Sequence, residues 1–237
     1  MNITTQPNNQ PLKLNSRFIL FIVMFYVTVS LAADVIAFKF TDFFGFVESG
    51  ATIIFPLTYV IGDMTCEVYG WNIAMRMVWF MLICEAIFAL LITIIIHVPS
   101  YPHFGQYQHE YNDILDNLWI FVASGILGNA ICSLLNVFFI SKWKILAHGK
   151  AFWFRSILST CISEFVLVLI VIGLSFAPML NNAHNSVTIF FDAYLLEILY
   201  AIIFVIPAQY LVNVLKRLEG IDAYDYGVSY NPFKFVS

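Results

Sequence analysis

Apolar residues fill six long stretches of this chain, and short polar connections separate them. A helix needs about 20 apolar residues to cross the hydrocarbon core of a bilayer, and each stretch reaches about that length. The pattern therefore predicts an all-α integral membrane protein, a bundle of six transmembrane helices at residues 17–38, 51–69, 73–97, 115–140, 152–180 and 188–215. The bundle occupies residues 17–218, between a disordered polar tail at 1–16 and a short tail at 219–237.

The basic residues predict how the bundle is oriented. If both termini lie in the cytoplasm, all of the 11 Lys and Arg residues except Lys39 fall on the cytoplasmic side. Such an excess of positive charge is typical of cytoplasmic connections. We therefore expect a multi-pass protein with an even number of spans and with both termini in the cytoplasm.

Composition limits the functions that the chain can carry. It is 61% hydrophobic and only 11% charged, which leaves no room for a sizeable soluble domain such as an ATPase. The cysteines stand singly in or beside apolar stretches, without a C-x-x-C motif, so neither a disulfide framework nor a zinc site is indicated. His103, His109 and Glu110 follow the third span, but their spacing favours a solvated outer loop over a metal site. We expect no metal and no cofactor.

Acidic residues stand inside the apolar stretches, with no Lys or Arg beside them to pair with: Asp34, Glu85, Glu164 and Glu197. An ionised side chain at the centre of a bilayer costs roughly 2.5–3.5 kcal/mol, so such residues usually face the bundle interior and contact a ligand or an ion. The alternative is a protonated carboxyl that is hydrogen-bonded to a neighbouring helix. Asp34 is near the end of its span, so a solvated position is open to it as well.

Polar and small residues form one face on each of two predicted helices, because they recur at spacings of three and four. The fourth span carries Ser124, Gly125, Gly128, Asn129, Cys132, Ser133 and Asn136. The fifth span carries Ser156, Ser159, Thr160, Ser163 and Glu164. Close helix packing is the simpler explanation of the small residues. The asparagine amides need partners inside the bundle, so we expect them either to pair there or to line a ligand cavity.

The second span ends in an acidic motif. Pro56 interrupts this span, which predicts a short, kinked or partly re-entrant helix. Asp63 and Glu67 are four residues apart, so they share a face in the last turns, where negative charge opposes the helix dipole. A basic partner has to offset them, and Arg76 or Arg155 lies at the same predicted level. We predict that Asp63, Glu67 and Arg76 form an ion-pair or gating motif.

Two motifs resemble those of a known family of transporters. Residues 63–70 read Asp-Met-Thr-Cys-Glu-Val-Tyr-Gly, which fits Asp-x-x-x-Glu-x-Tyr-Gly, and residues 149–160 fit Gly-x-x-Phe-Trp-x-Arg-Ser-x-x-Ser-Thr. Together with the six spans, they resemble the queuosine precursor transporters, also called the vitamin uptake transporter family, over about residues 17–218. The chain departs from the family pattern at Glu164-Phe165, where some members have an Asp-Thr pair, and at Glu197, where some have a lysine.

The resemblance implies a transporter in the bacterial inner membrane, not an enzyme. It implies import of 7-cyano-7-deazaguanine or 7-aminomethyl-7-deazaguanine, which is salvaged to make the tRNA base queuosine. A guanine-like edge offers an N–H and an amine side by side, which a carboxylate accepts in parallel. The residues predicted to bind the substrate are Glu164, Glu197, Asn129, Arg155, Ser159 and Thr160. The expected partners are this small molecule and the lipid bilayer but no nucleic acid, and a homo-oligomer or a coupling partner stays open.

Two other functions stay open. The chain could be the substrate-binding subunit of an energy-coupling-factor vitamin importer, because those six-helix subunits contact a partner through an Ala-x-x-x-Ala pair. Ala33 and Ala37 have that spacing. An intramembrane enzyme is the remoter alternative, since the predicted spans contain no Ser–His or Cys–His pair and no H-E-x-x-H motif.

Overall fold

Six helices of the protein are long and apolar enough to cross a membrane, which confirms the predicted number of spans. The computed structural model describes residues 17–37, 39–43, 46–99, 105–115, 118–171, 173 and 183–233. In this part of the chain the elements are α1 (Ile19–Ile36), β1 (Phe40–Phe43), β2 (Phe46–Ser49), α2 (Ala51–Tyr69), α3 (Trp71–Ile96), α4 (Gly105–Leu115), α5 (Leu118–Leu146), α6 (Phe152–Val171) and α7 (Ala183–Glu219). The candidate spans are all of these helices except α4.

Helix α2 forms the centre of the bundle. Of its apolar window, 72% is buried in the protein, against 22% for α1 and 17% for α3. It packs against all five other candidate spans. The outer helices expose large apolar side chains such as Phe21, Phe80 and Ile206, as surfaces that face lipid do. Because α2 is enclosed by other helices, it can carry polar residues that a lipid-facing helix could not.

The predicted helix bounds agree best for α2, which passes through Pro56 without a break. Helices α5 and α7 continue beyond their predicted ends, to Leu146 and Glu219. The extensions carry basic residues, which a search for apolar length leaves out although Lys and Arg are good helix formers. The fifth span was predicted to reach residue 180, and α6 is described from Phe152 to Val171. Residues 172 and 174–182 lie outside the described part of the chain.

Two connections are more regular than the sequence predicted. Strands β1 and β2 form an antiparallel hairpin between α1 and α2, with Phe40 opposite Ser49, so the fold is not purely α-helical. After α3, where we expected a solvated loop, α4 forms a helix with no buried residue. On its surface His109 Nδ1 lies 2.7 Å from Asp113 Oδ2. His103 and the tail at 1–16 lie outside the described residues.

One end of the bundle, called the basic end from here on, collects the starts of α1, α3 and α6 and the ends of α2, α5 and α7. Glu219 accepts hydrogen bonds there from the Phe18 backbone N–H at 3.0 Å and from the Tyr69 hydroxyl at 3.2 Å. Gly70 links α2 to α3 at φ 86°, a conformation that suits glycine. Lys39 follows α1 at the opposite end. This sorting of basic residues is the pattern on which the predicted cytoplasmic orientation rests.

Candidate functional site

An ion-pair cluster surrounds Glu67 in the last turn of α2, at the basic end. Both terminal nitrogens of Arg155 lie 3.0 Å from Glu67 Oε2, and Lys216 Nζ lies 2.6 Å from Oε1. Lys144 Nζ is 3.8 Å from the same Oε1. Glu67 is fully buried, and a buried carboxylate is tolerated when it is paired and hydrogen-bonded. Three cations from α5, α6 and α7 therefore hold the end of α2.

Residues 220–230 fold over this cluster and are called the C-terminal strap below. Lys144 Nζ lies 2.6 Å from each of three oxygens, namely the Glu67 and Ala223 carbonyls and Asp222 Oδ1. Lys216 Nζ is 2.9 Å from Asp222 Oδ1. Burial alone would raise the pKa of Asp222, but the hydrogen bonds and charges of Lys144 and Lys216 outweigh it and lower this pKa. The strap is thus bound to the bundle through buried charges.

A second acid of the strap, Asp225, holds the start of α3. Its carboxylate accepts the Trp71 backbone N–H, at 3.0 and 3.1 Å, and the Ser141 hydroxyl at 2.6 Å. Negative charge is favourable at a helix N-terminus, where backbone N–H groups lack partners. Gly149 leaves room for the strap, because a Cβ at this position would lie 2.1 Å from the Tyr224 hydroxyl oxygen.

Asp63, one turn before Glu67, is held by neutral groups. It is fully buried and accepts hydrogen bonds from the Asn136 amide of α5 and the Ser156 hydroxyl of α6. The two acids of the motif therefore have different partners, cations for Glu67 and an amide and a hydroxyl for Asp63. Since other cations already offset Glu67, the role expected of Arg76 in this motif stays a prediction.

Deeper in the bundle, Glu164 of α6 and Glu197 of α7 form a buried carboxyl pair, and Tyr59 of α2 is within range of both charges. Apart from Glu197, neither oxygen of the fully buried Glu164 has a hydrogen-bond partner among the described residues. Within the same part of the chain, the buried hydroxyls of Tyr59, Thr160 and Ser163 also have no partner. Buried polar groups nearly always have partners, so this concentration of unused hydrogen-bonding capacity marks the candidate binding site.

An open space lies at Gly62 of α2, one turn along the helix from Tyr59. Gly62 is buried in α2, yet a Cβ there would have no described atom of a neighbouring helix within 4 Å. Tyr59, Gly62 and Asp63 share one face of α2, because they are three and four residues apart. Polar groups on both sides of Gly62 therefore border a position with room for at least one added carbon atom.

The structure brings some of the predicted binding residues together. Thr160 and Glu164 lie one turn apart on α6, with Glu197 beside Glu164. Ser159 is next to Thr160, and its hydroxyl donates to the backbone carbonyl three residues earlier at 3.0 Å. These residues form or adjoin the carboxyl pair.

The other predicted residues lie elsewhere. Arg155 is bound to Glu67 at the basic end, and Asn129 is hydrogen-bonded to Glu85 of α3. Asp34 lies beside Glu85 and is 9% exposed, so the solvated position considered for Asp34 is wrong. The hairpin and the neighbouring helices cover the end of α1 that the sequence placed near the membrane surface.

Several site residues were missed in the sequence. The sequence could have indicated Tyr59 as a site residue, because it lies one turn before Asp63 on the same face of α2. Lys144 and Lys216 were used only to predict the orientation of the bundle in the membrane. The sequence does not distinguish a buried Lys at a helix end from a solvated one. Asp222 and the rest of the strap are far from Glu67 along the chain, and only the tertiary fold brings them together.

Six candidate spans around a buried, acid-lined site, closed by ion pairs at one end, define a multi-pass membrane protein of the transporter class. Among the described residues, no three His, Cys, Asp or Glu side chains come together as metal ligands would. The model of the family described as "Putative vitamin uptake transporter" matches residues 49–212, more than half of the chain. The chain therefore belongs to this family of vitamin uptake transporters, as its two motifs predicted. Comparison with curated proteins and with solved structures finds no match.

Proposed function

We propose that this transporter imports 7-cyano-7-deazaguanine or 7-aminomethyl-7-deazaguanine across the bacterial inner membrane, for salvage into queuosine in tRNA. The observation that carries the proposal is the fully buried Glu164 of the carboxyl pair, with unused hydrogen-bonding capacity, together with the open space at Gly62 of α2. The family match and the resemblance of both motifs to queuosine precursor transporters support it.

A buried carboxylate suits the guanine-like edge of such a substrate. The ring N–H and the exocyclic amine point the same way and can donate in parallel to the two oxygens of Glu164. A base without both donors would leave a buried acceptor unsatisfied, which costs about 1–3 kcal/mol. Tyr59 offers an aromatic face for stacking, and the hydroxyls of Thr160 and Ser163 can bind further polar atoms. Glu197 supplies a second carboxyl, which suits the charged aminomethyl form.

The ion-pair cluster fits a gate at the basic end. A carrier has to open its site to one side of the membrane at a time. At this end Glu67 is bound to Arg155 and two lysines, and the strap covers them. A substrate that leaves in this direction has to pass these contacts, so opening must break them. In this proposal Asp63, Glu67 and Arg76 keep the gating role that the sequence predicted.

The burial of Ala33 and Ala37 argues against a subunit of an energy-coupling-factor importer. In those subunits the Ala-x-x-x-Ala pair contacts a partner, whereas Ala33 and Ala37 are each 2% exposed here. A partner helix could reach them only if α1 left its present position. We therefore favour a carrier that works without an ATPase partner.

Uptake in cells tests the substrate. The protein is expressed in a bacterial strain that cannot make the precursors, and queuosine in tRNA is measured after 7-cyano-7-deazaguanine is supplied. Glu164→Gln keeps the side-chain size but replaces one acceptor with a donor. It should lower uptake at least about tenfold, which corresponds to about 1.4 kcal/mol.

The matched control is Glu110→Gln, since Glu110 lies exposed on α4. Wild type and control should both restore queuosine, and Glu164→Gln should not, at equal amounts of protein in the membrane. Normal uptake by a well-expressed Glu164→Gln variant would contradict the assignment of this residue. No salvage by the wild type would contradict the substrate.

A further inference from the structure

A second pair of buried acids, called the acid pair below, lies apart from the carboxyl pair. Asp34 of α1 and Glu85 of α3 are neighbours, 9% and 1% exposed. The hydroxyl of Ser30, one turn before Asp34 on α1, donates to Glu85 Oε1 at 2.6 Å, and Asn129 of α5 is hydrogen-bonded to the same carboxyl. Within the described chain, Glu85 Oε2 and Asp34 Oδ2 have no hydrogen-bond partner.

The groups that face the acid pair carry no positive charge. Tyr26 and Ser30 face it from α1 and Asn129 from α5, and no described Lys, Arg or His side chain is among its neighbours. The next acid is Asp63 of α2, which lies near Tyr26. Two adjacent carboxylates without a counter-charge do not both stay ionised in a buried site. A proton shared between them removes the repulsion.

We propose that Asp34 and Glu85 bind one proton per transport cycle and couple import of the substrate to proton entry. The inference rests on the proposed function and adds its energy source. In the bound state the proton belongs to one of the two carboxyls, so that only the other stays ionised. The proton comes from the side where protons are more concentrated and leaves on the other side, so no further reactant is consumed.

The surroundings of the acid pair suit a proton better than a metal cation. The Ser30 hydroxyl points its hydrogen at Glu85, and Asn129 makes a further hydrogen bond to the same carboxyl. A metal cation needs the lone pairs of several oxygens directed at it. In the described part of the chain the unpartnered oxygens are one from Glu85 and one from Asp34, which is sufficient for a shared proton.

Two buried tyrosines lie between the charges of the acid pair and those of the carboxyl pair. Tyr26 of α1 is within range of the charge of Glu85, and Tyr59 is within range of Tyr26 and of both members of the carboxyl pair. Both tyrosines are buried, at 3% and 4% exposure. In this proposal a change of charge at Glu85 acts on the substrate site through its electric field, because these groups lie within range of each other's charge.

Vesicles that contain only the purified full chain can separate coupling from substrate binding. In the exchange assay, vesicles preloaded with unlabelled 7-cyano-7-deazaguanine take up the labelled compound at equal pH on both sides. In the accumulation assay, empty vesicles are placed in a more acidic buffer. The wild type should exchange the substrate, and it should accumulate it with a proton gradient but not with a sodium gradient.

Glu85→Gln and Asp34→Asn should reduce proton-driven accumulation at least about tenfold and keep exchange within about twofold of wild type. The matched controls are Glu110→Gln and Asp113→Asn on the exposed α4, which should keep both activities. If one variant does not fold, the other decides the result.

Three results would overturn the inference: wild-type accumulation that ignores the proton gradient, accumulation by both variants at the wild-type level, or loss of exchange in folded variants. The last result would place the acid pair in the substrate site. If the wild type exchanges no deazaguanine, the proposed function is wrong. Acid–base titration of the purified protein then tests the proton site independently of transport. Glu85→Gln should bind one proton fewer than wild type, and an equal count would refute the site.

Discussion

Glu67 and Glu164 are both fully buried acids, but their partners give them different roles. Three cations and the strap surround Glu67, so its charge is satisfied inside the protein. Glu164 has a second carboxyl and hydroxyls around it, so its hydrogen-bonding capacity is left for another molecule. The first arrangement holds helices together, and the second can recognise a ligand.

Glu67→Gln should destabilise the protein strongly. The substitution leaves the buried Arg155 and Lys144 and the half-buried Lys216 without their shared acid, and breaking a buried ion pair in this way costs about 3–5 kcal/mol. Thermal unfolding of the purified protein in detergent measures the effect, with Glu110→Gln as the exposed control. Equal melting temperatures for the two variants would show that the cluster does not hold the bundle.

At the scale of elements, α2 connects the proposed substrate site with the ion-pair cluster at the basic end. One face of the helix, with Val60, Met64 and Val68, packs into an apolar cluster with α7. The face with Tyr59 and Gly62 borders the open space at Gly62 and lies within range of the charges of the carboxyl pair. Its last turn is bound by the cluster at the basic end. A movement of α2 would therefore change the substrate site and the gate together.

Gly62→Leu should block substrate binding and leave the fold intact. A Cβ has room here, since no described atom of a neighbouring helix lies within 4 Å of its position, and the rest of the Leu side chain extends into the proposed substrate space. Leu also favours a helix over Gly, by up to about 1 kcal/mol. Calorimetric titration with 7-cyano-7-deazaguanine should show binding at least about tenfold weaker for Gly62→Leu.

Gly62→Ala is the matched control and should bind the substrate as the wild type does, because a methyl group occupies little of the space. Melting temperatures of both variants should equal or exceed that of the wild type. Unchanged binding by Gly62→Leu would mean that the substrate does not occupy this space.

The sequence predicted the spans well because a bilayer demands both length and apolarity. It did not predict where α5 and α7 end, since helices continue beyond the apolar region and apolarity then carries no information. The β1–β2 hairpin was missed because two strands of four residues are too short to show a periodic pattern.

The acidic residues of the site were predictable because a bilayer demands apolar residues, so an acid among them is conspicuous. A carboxylate such as Glu164 or Asp63 inside an apolar stretch is costly, so it stands out before any fold is known. Lys144 and Asp222 do not stand out, because at a helix end or in a tail a charge is normally solvated. Their burial depends on the strap folding back over the basic end, which is a tertiary event.

At the scale of the whole molecule, ion pairs close the basic end of the bundle. Charged side chains of four segments meet there, namely the ends of α2, α5 and α7 and the start of α6, and the strap lies over them. The opposite end carries the hairpin and the exposed α4. For a carrier, this is a conformation closed at the basic end.

Acid should loosen the strap. The pKa of Asp222 is held below its ordinary value of 3.8, so its ion pairs stabilise the folded state fully above that value. Their contribution is lost as the pH falls through the lower pKa of the folded state. The wild-type melting temperature should therefore fall on acidification below this range.

Asp222→Asn removes the titrating group and tests this directly. Near neutral pH the variant should melt below the wild type, and the difference between the two should shrink in acid. A difference that stays constant with pH would contradict the role of Asp222 in holding the strap.

One measurement decides whether this chain alone carries a 7-deazaguanine across a membrane. The purified protein is placed in lipid vesicles without any ATPase, and entry of labelled 7-cyano-7-deazaguanine is followed in exchange for unlabelled compound inside. The carrier proposal predicts rapid exchange that excess 7-aminomethyl-7-deazaguanine inhibits, adenine does not inhibit and Glu164→Gln abolishes. Binding of the substrate to the vesicles without entry would contradict a stand-alone carrier, and equal inhibition by adenine would contradict the deazaguanine site.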